Sequence, residues 1–512
     1  MKWKKLQHNG ILFPPPYESR GIIMKIKGVE IKLNILQEEM VYQWCKKKDT
    51  KYISDKMFQK NFLKDFKLSL HNKFKNIKYT DIDFTYANEL IDKEKMMKES
   101  ISKDIKKSLA LQRKKIRDEM KEKYGNAVID GDVVEIANYI AEPAGIFIGR
   151  GEHPLRGRWK YKITPNCVTL NLGKEARIPR GDWKNVIHDK NSMWIASWKD
   201  KLTQKRKYVW LADTSQIKQK REQAKYDKAI VLSKKINKIK KKISSNMNDR
   251  NEQIKKIATV CYLIYRTAMR VGDEKDSDEV DTVGATTLRK EHIKLSQKKI
   301  KFDFLGKDSV RWQKDILIQD NHDVLFYNNL QKLIKNKKSG EEIFHDVTSR
   351  HVNSYYSSII KGLTAKVFRT YLATNVVKNN LKTTNMKSKP LHVKLYYAKL
   401  ANLEAAKMCN HKKTISKSFS KSLQKKKLTL AKITNTKTKT DKQLARLNIR
   451  KEKTVLAIKL LSKTKDYNLG TSLRNYIDPR IYKTWADEVD MEWEKLYSSS
   501  LQKKFLWVKN SK

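Results

Sequence analysis

The chain has 512 residues, and its 112 lysine and arginine residues exceed its 56 aspartate and glutamate residues, so the net charge is +56. A charge of this size predicts a polyanionic partner, most simply nucleic acid. It argues against an ordinary small-molecule enzyme, whose surface mixes both signs. Hydrophobic residues make up 39% of the chain, which is enough for a real core. At roughly 100–200 residues per domain, the length predicts two to four domains.

The cysteines and the apolar segments exclude several further classes of protein. Four cysteines lie far apart without a CxxC pair, which argues against zinc ribbons and disulfide scaffolds and favours a reducing compartment: Cys45, Cys167, Cys261 and Cys409. No apolar run approaches the roughly 18 residues of a membrane span. The first residues, MKWKKLQHNGILFPPPYE, contain too short an apolar stretch for a signal peptide. We therefore expect an intracellular protein without a membrane partner.

Three patterns are predicted in the first part of the chain. Residues 22–34 alternate apolar and polar side chains around Gly28, which predicts a short hairpin. Residues 87–124 are charged and contain neither glycine nor proline, which predicts one long helix. Residues 127–212 contain strand-like runs separated by Gly, Pro and Asp, which predicts a mixed sheet region.

Helices dominate the predictions that follow. Residues 214–247 are helical in pattern, and EQIKKIATVCYLIYRTAMR predicts a buried helix that ends at Gly272. The run KKIKFDFLGKDSVRWQKDILI predicts two strands that meet at a turn around Gly306–Ser309. Residues 347–411 are predicted to be helical, with breaks near Gly362 and Pro390.

Residues 412–465 have an unusual composition. They contain no Gly, Pro or Trp. They include 18 basic residues and only two acidic ones, Asp441 and Glu452. The second half carries a heptad seam at Leu444, Leu447, Ile458 and Leu461. The Thr/Lys-rich stretch 434–440 would be the turn between two antiparallel helices. The alternative is a solvated, partly disordered basic linker, and we favour the paired helices.

Two basic side chains stand where phosphate chemistry is possible. Arg270 follows an apolar helix and can aim a planar fork of donors at phosphate oxygens. A cation near a helix C-terminus is also common, because it interacts favourably with the helix dipole. Lys307, at a predicted hairpin tip, can enter a DNA groove, although it is one lysine among many. No HExxH motif, Walker glycine loop or zinc spacing is present.

Four more residues have both a functional and an ordinary reading. Lys366 and Arg369 are three positions apart and so share a helix face, which is either a phosphate-binding face or a solvated basic one. Tyr476 follows Asn475 in NYIDPR. Considered alone, such a tyrosine is more often a packed aromatic residue than a nucleophile. Considered alone, His411 in MCNHKK is an ordinary polar residue at a helix end.

These stretches, in this order, resemble the eukaryotic-type DNA topoisomerase IB family. The resemblance extends over essentially the whole chain, and several of its motifs are long and specific to the family. They are KWKKLQHNGILFPPPYE, FQKNFLKDF, EPAGIFIGRGEHP, FDFLGKDSVRW, GLTAKVFRTY, CNHKK and LGTSLRNYIDPR. The family places a coiled-coil linker between its histidine and its tyrosine, where this chain has its basic segment.

The resemblance implies a role for each catalytic residue. Tyr476 would attack a DNA phosphodiester and form a 3′-phosphotyrosyl link. Arg270 and Arg369 would hold the non-bridging oxygens, and His411 would donate a hydrogen bond to one of them. Lys307 would protonate the leaving 5′ oxygen. Such cationic groups do the electrostatic work of a metal, so neither a metal, another cofactor nor ATP is expected.

The same resemblance implies DNA contacts and partners. Arg150, Asp308 and Asn475 would contact DNA or support the site, and Lys366 is a further expected DNA contact. The partner would be double-stranded DNA, preferentially supercoiled, and the protein would be a monomer. The chain opens directly in the core motifs without a long charged N-terminal domain, so nuclear targeting is not evident. We therefore expect a DNA-associated protein, in the nucleus of a eukaryote or in the cytoplasm or nucleoid if the member is archaeal or viral.

The resemblance and the composition shifts together predict an α+β multidomain DNA clamp. It would combine a mixed N-terminal cap and core, a mainly helical, tyrosine-recombinase-like catalytic domain and a coiled-coil linker. The predicted parts are a core (1–18 and 106–215), a cap (19–105), a catalytic core (216–414), a basic helical linker (415–465) and a C-terminal domain with the tyrosine (466–512).

Two other functions stay open at this point. A site-specific tyrosine recombinase uses the same catalytic set, but the N-terminal motifs and the long segment before Tyr476 favour a topoisomerase. A non-catalytic, basic nucleic-acid-binding protein would explain the composition alone. It predicts that the change Tyr476→Phe alters nothing measurable.

Overall fold

The computed structural model describes residues 3–71, 74–149, 151–272, 283–382 and 385–510, without the side chains of residues 308 and 510. The described residues form two compact units, one within Met1–Lys218 and the other within residues 219–512. Both units combine helices and sheets, which confirms the predicted α+β multidomain class. None of the described helices is long and apolar enough to cross a membrane.

The first unit consists of short strands and helices. Its strands are β1 (Leu6–His8), β2 (Ile23–Ile26), β3 (Val29–Lys32), β4 (Ile82–Asp83), β5 (Asn126–Ile129), β6 (Asp132–Glu135), β7 (Gly145–Ile146), β8 (Trp159–Lys160), β9 (Val168–Asn171), β10 (Asn185–Ile187), β11 (Trp194–Lys199) and β12 (Arg206–Trp210). Its helices are α1 (Ile35–Cys45), α2 (Lys56–Ser69), α3 (Thr85–Ser100) and α4 (Lys103–Tyr124). The predicted mixed sheet region at 127–212 is confirmed.

Most of the strand pairs in the first unit are antiparallel. The sheets have the orders β1-β5-β6, β3-β2-β4, β7-β8 and β10-β9-β11-β12, and β10 runs parallel to β9. Strands β2 and β3 form the hairpin predicted at 22–34. Its turn needs a left-handed backbone at Lys27 and Gly28, which have φ values of 51° and 79°.

The predicted helix over 87–124 is confirmed except at residues 101 and 102, where a break divides it into α3 and α4. The Oγ atom of Ser102 accepts a hydrogen bond from the backbone N–H of Ile105 at 3.3 Å and caps the start of α4. A serine side chain offers the backbone this local alternative to a continuous helix. The prediction missed the break because it considered only glycine and proline as helix breakers.

Two hydrophobic clusters stabilise the first unit. One is aromatic and packs α1 and α2 against β2, with the rings of Trp44 and Phe62 stacked 4.2 Å apart. The other lies around the four-stranded sheet and includes Trp3, Val168 and Ile195. The finer division of this region into a cap and a core stays a prediction.

The second unit is mainly helical. Helix α5 (Gln216–Met247) leads into it, and its other helices are α6 (Glu252–Thr267), α7 (Asn321–Lys335), α8 (Ser349–Ile359), α9 (Ala365–Asn380), α10 (Leu391–Met408), α11 (Phe419–Thr434), α12 (Asp441–Lys463), α13 (Leu469–Asn475), α14 (Pro479–Glu488) and α15 (Ser499–Lys504). Its strands are β13 (Ile293–Ser296), β14 (Lys299–Gly306) and β15 (Val310–Leu317). The predicted helix at 214–247 and the breaks near Gly362 and Pro390 are confirmed.

Strands β14 and β15 form the predicted antiparallel hairpin and pair from Lys299 and Leu317 to Gly306 and Val310. The turn between them is a single 3-10 turn over Lys307–Ser309. Strand β13 pairs with the other edge of β14. The long hairpin therefore fixes Lys307 at its tip.

Helices α11 and α12 form the paired arm predicted within 412–465. Residues 435–440 connect them, as predicted for the Thr/Lys-rich stretch, and Thr440 caps α12. At the base, Lys412 and Tyr467 form an isolated antiparallel bridge, so the chain returns to where it left. Apart from Thr429, the less exposed side chains of α11 recur at heptad spacing: Phe419, Leu423, Lys426, Leu430 and Ile433. On α12, Leu444 of the predicted seam is exposed, and a supercoil between the helices stays a prediction.

Candidate active site

Arg270 is held by the loop that follows α6. The helix ends earlier than predicted, because its C-cap residue Ala268 has a left-handed backbone with φ 53°. Arg270 is therefore a loop residue and not the helix-end cation considered above. Its carbonyl accepts a hydrogen bond from the N–H of Ala285 at 2.8 Å. Beside it, a Cβ atom on Gly284 would lie 2.4 Å from the Cα atom of Gly272, so this close approach requires glycine.

Arg369 lies on α9, and only 4% of it is exposed. Its Nη2 atom donates a hydrogen bond to the carbonyl of Cys409 at 3.1 Å. Its Nε and Nη1 atoms are buried and have no hydrogen-bond partner among the described residues. A buried guanidinium with free donors is costly, so such a group indicates a site prepared for an anion.

His411 lies just beyond α10 and is 5% exposed. Its backbone N–H donates to the carbonyl of Ala406 at 2.8 Å, and its carbonyl accepts from the N–H of Asn468 at 2.7 Å. Neither ring nitrogen has a hydrogen-bond partner in the described part of the chain. Burial, together with the positive charges of Arg369 and Arg270, lowers the pKa of His411 to about 3. The imidazole is therefore neutral near pH 7 and has one N–H to donate.

Tyr476 directly follows α13 and is 9% exposed. The guanidinium carbon of Arg369 lies 4.7 Å from the centroid of its ring, and the ring of His411 lies 5.3 Å away. Burial lowers the pKa of the Arg270 guanidinium, as does the nearby charge of Arg369. A hydrogen bond with Tyr476 acts in the opposite direction and raises it. Three of the predicted groups therefore surround the tyrosine.

A cavity of about 150 Å³ connects these groups. Arg270, Arg369, His411 and Lys307 all line it. Lys307 is exposed at its rim, whereas the others are wholly or partly buried. The structure thus brings together the five predicted catalytic residues, with Tyr476 against three of them. This arrangement can bind a tetrahedral anion beside a phenolic oxygen and offer it N–H donors on several sides.

The predicted DNA contacts differ in their placement. Lys366 is exposed and Arg369 is buried, so the two do not form a solvated basic face, and the phosphate-binding face stays a prediction. The helix boundary between surface and core falls between these two positions. The Nδ2 atom of Asn475 donates to the carbonyl of Thr471 within α13 at 3.2 Å. Arg150 and the side chain of Asp308 lie outside the described residues.

Polar residues that the sequence analysis did not select hold the tyrosine segment. The Oγ1 atom of Thr374, on α9, donates to the carbonyl of Tyr476 at 3.2 Å and accepts from the N–H of Asp478 at 3.0 Å. The Oγ atom of Ser472 donates to Oδ1 of Asn402 on α10 at 2.6 Å in a buried pair. In the sequence, the one sign of this network is Asn402, a polar residue among the apolar residues of α10.

Among the described residues, no group of three or more acidic, histidine or cysteine side chains is placed to hold a metal ion. The four cysteines are free thiols. The expectation that the reaction needs no cofactor stays a prediction.

Comparison with protein families covers nearly the whole chain. Residues 1–211 match the model of the eukaryotic DNA topoisomerase I DNA binding fragment, and residues 214–444 match that of the catalytic core. Residues 448–512 match the C-terminal topoisomerase domain. The boundary between the first two matches lies close to the boundary between the two structural units.

Similar proteins carry the same family name. The chain is 34% identical to DNA topoisomerase 1 alpha of Arabidopsis thaliana, over 99% of the chain and 58% of that protein. It is 31% identical to DNA topoisomerase 1 of Drosophila melanogaster, over 99% of the chain and 54% of the relative. The chain thus spans little more than half the length of these two relatives. With human DNA topoisomerase 1 it shares 30% identity over 99% of the chain and 71% of the human protein. The chain therefore belongs to the eukaryotic DNA topoisomerase I family.

Proposed function

We propose that the protein is a type IB DNA topoisomerase. It nicks one strand of duplex DNA through a 3′-phosphotyrosyl intermediate at Tyr476, lets the strand rotate, and religates it without ATP. Both positive and negative supercoils relax in this way. The observation that carries the proposal is the set of buried, unpartnered donors on Arg369 and His411 around the tyrosine ring.

The cleavage step follows from the charges around the cavity. A tyrosine hydroxyl has an ordinary pKa near 10 and is a poor nucleophile at neutral pH. The neighbouring Arg270 guanidinium stabilises the negative charge that develops on the phenol oxygen as its proton passes to water. Arg270, Arg369 and the N–H of neutral His411 stabilise the charge that grows on the non-bridging oxygens. Each such donor is worth roughly 10²–10³ in rate.

Lys307 is the proposed general acid. It gives a proton to the 5′ oxygen as the bond to phosphorus breaks, because an alkoxide is a poor leaving group. Its exposed position at the tip of the β14–β15 hairpin suits a group that approaches DNA from the rim of the cavity. The phosphotyrosyl bond conserves the energy of the broken link, so the free 5′ hydroxyl attacks back without ATP.

Double-stranded DNA, preferentially supercoiled, is the proposed partner of a monomeric, DNA-associated, intracellular protein. The net charge of +56 supports this partner. Arg150, Asp308, Lys366 and Asn475 are the proposed additional contacts. Phosphate contacts carry little sequence information, so we expect weak sequence preference and a salt slope of about −0.9 per phosphate neutralised.

The helical arm formed by α11 and α12 is proposed to slow strand rotation electrostatically. The segment 412–465, which contains the arm, has 18 basic residues and lies between His411 and Tyr476 along the chain. Deletion of residues 416–462 should then change processivity and salt sensitivity while single-turnover cleavage persists. Loss of cleavage would show instead that the arm positions Tyr476.

The decisive experiment traps the protein on a suicide duplex, whose cleaved fragment diffuses away, and maps the linked residue by mass spectrometry. We expect the DNA 3′ end on Tyr476, and no adduct from Tyr476→Phe, with DNA binding kept. Attachment elsewhere, or through the 5′ end, would overturn the proposal. Unchanged behaviour of Tyr476→Phe would favour a non-catalytic basic protein.

Plasmid relaxation separates the topoisomerase from a tyrosine recombinase. The protein should relax a supercoiled plasmid that carries no special site, in the absence of Mg²⁺ and ATP. Products restricted to recombinant molecules would favour the recombinase. The N-terminal motifs and the family match favour the topoisomerase.

A further inference from the structure

The end of α13 presents its last carbonyl groups immediately before Tyr476. A helix leaves its final carbonyls without partners inside the helix, and cations are favourable at this end. Here two lysines supply the donors. The Nζ atom of Lys225 donates to the carbonyl of Asn475 at 3.0 Å, and that of Lys504 donates to the carbonyl of Arg474 at 3.1 Å.

Glu222 joins the two lysines. One of its carboxylate oxygens lies 2.7 Å from the Nζ atom of Lys225 and 3.5 Å from that of Lys504. Side-chain exposure is 11% for Lys225 and 5% for Lys504, so both ammonium groups are largely removed from solvent. Since Glu222 and Lys225 lie on α5, this long helix reaches the nucleophile segment through its polar side chains.

A second contact ties the same segment to α5 on the far side of the tyrosine. Nη1 of Arg480 lies 2.7 Å from Asp227, and its Nη2 atom lies 2.8 Å from Asp478. Thr374 holds the carbonyl of Tyr476 itself. The backbone is therefore fixed just before the nucleophile by lysines and just after it by an arginine.

We propose that Lys225 is a positioning residue for the nucleophile, which acts through the carbonyl of Asn475 and needs its positive charge to do so. This inference rests on the proposed function and adds a residue that touches neither DNA phosphorus nor the tyrosine hydroxyl. A charged donor makes a stronger hydrogen bond to a carbonyl than a neutral amine does. A loosened bond one residue before Tyr476 lets its hydroxyl drift, and misplacement of about 1 Å can cost about 10²-fold in rate.

The surroundings of Lys225 make this charge sensitive to pH. Burial lowers the pKa of Lys225, Glu222 opposes this change, and the positive charges of Lys504 and Lys366 add to it, so that the pKa is about 8. Lys225 is thus protonated at pH 7 and loses its proton as the pH rises through about 8. A helix cap with a merely structural role would contribute to stability but would not make the cleavage rate depend on this proton.

The test compares single-turnover cleavage of a suicide duplex by the wild type and by Lys225→Met, with protein in excess, from pH 6.5 to 9.5. At pH 7 we expect Lys225→Met to be about 10-fold to 100-fold slower. The ratio of the two rates should shrink as the pH passes about 8, because the wild type then loses the charge that the variant lacks. Lys225→Arg keeps a cation and should recover much of the rate, most clearly above pH 8.

Lys234→Met is the matched control, because Lys234 is an exposed lysine on the same helix. Its rate should equal that of the wild type at every pH. Equal rates for Lys225→Met and the wild type at pH 7 would overturn the inference, as would a rate ratio that does not change with pH. If the wild type forms no adduct on Tyr476, the proposed function itself fails; if it forms the adduct and Lys225→Met matches it, only the role of Lys225 fails.

Discussion

Two buried histidines show how a structural residue differs from a prepared site. His8, on β1 of the first unit, is 2% exposed, and His411 in the second unit is 5% exposed. Burial lowers the pKa of His8 to about 4 and that of His411 to about 3. Nδ1 of His8 accepts from the N–H of Gly10 at 3.1 Å, and its Nε2 atom pairs with the carbonyl of Asn171 at 3.0 Å. Both nitrogens of His411 have no partner among the described residues.

The arginines of the two regions differ in the same way. Nε of Arg158 donates to both carboxylate oxygens of Asp65, at 2.9 and 2.8 Å. Arg369 has a single described hydrogen bond and lies beside a second arginine. Both histidines are buried and have a lowered pKa, so neither property identifies the site. Single buried donors without a partner also occur in the first unit, for example the Nε1 atoms of Trp159 and Trp198. The site is distinguished because the unpartnered groups of Arg369 and His411 line one cavity beside a second arginine.

The largest effect on the cleavage rate is expected from a substitution of Lys307, the exposed residue of the site. Lys307→Met should slow cleavage by roughly 10²–10⁴, because the 5′ alkoxide then leaves without a proton. A substrate with sulfur in place of that oxygen needs no proton to leave and should restore most of the rate. Single-turnover cleavage of both substrates provides the measurement, and a variant equally slow on both would contradict the role of general acid.

Arg369→Gln should slow cleavage by roughly 10²–10³, because one donor to the transition state is lost. Its melting temperature should stay the same or rise, since the change also removes a buried charge beside Arg270. Arg158→Gln in the first unit is the contrasting variant. It should leave buried Asp65 without its charged partner, with only the N–H of Trp159 still donating to it at 2.6 Å. We expect stability to fall by about 1–3 kcal/mol and cleavage of saturating DNA to stay intact. Thermal unfolding and cleavage are measured on both proteins.

Replacing each histidine in turn by glutamine tests the comparison directly. His8→Gln should cost about 1–3 kcal/mol of folding free energy, because the N–H of Gly10 and the carbonyl of Asn171 lose their fitted partner. His411→Gln should leave the unfolding free energy nearly unchanged and slow cleavage. If His411→Gln proved the more destabilising of the two, unsatisfied donors would not distinguish the site from the core.

Stability should also depend on pH. Both histidines have a folded pKa below the ordinary 6.5, so the unfolded chain takes up protons that the folded protein refuses. Their contribution to stability is complete above pH 6.5 and falls progressively as the pH drops towards 4 and 3. Urea unfolding at several pH values should show this slope, reduced in His8→Gln and in His411→Gln. A slope unchanged in both variants would contradict it.

Local patterns in the sequence predicted the local structures well. Alternation around Gly306 gave the β14–β15 hairpin with Lys307 at its tip, and Gly362 and Pro390 gave the helix breaks. The five catalytic candidates came from motif resemblance, and the fold brings them together, although their roles remain predictions. Composition alone would not have selected them, because the chain has 112 basic residues.

The predictions failed where tertiary contacts decide the outcome. Helix α6 ends at left-handed Ala268 and not at Gly272, because the following loop pairs Arg270 with Ala285. Spacing along α9 cannot show that Arg369 is buried while Lys366 is exposed. Thr374 contacts Tyr476 across about a hundred residues of sequence, and no local pattern records such a contact.

The bridge between Lys412 and Tyr467 closes the base of the arm, so the rest of the protein does not depend on the length of the arm. The carbonyl of His411 and the N–H of Asn468 also pair there, at 2.7 Å, so the strand ends that flank the arm are fastened to each other. Glu452 on α12 contacts His392 on α10. Between this contact and the tip of the arm, whole heptads can therefore be removed from, or added to, both helices without changing the backbone that joins His411 to Tyr476 at the base. The length of the arm, and with it the proposed electrostatic effect on strand rotation, can thus change while the catalytic groups stay in place.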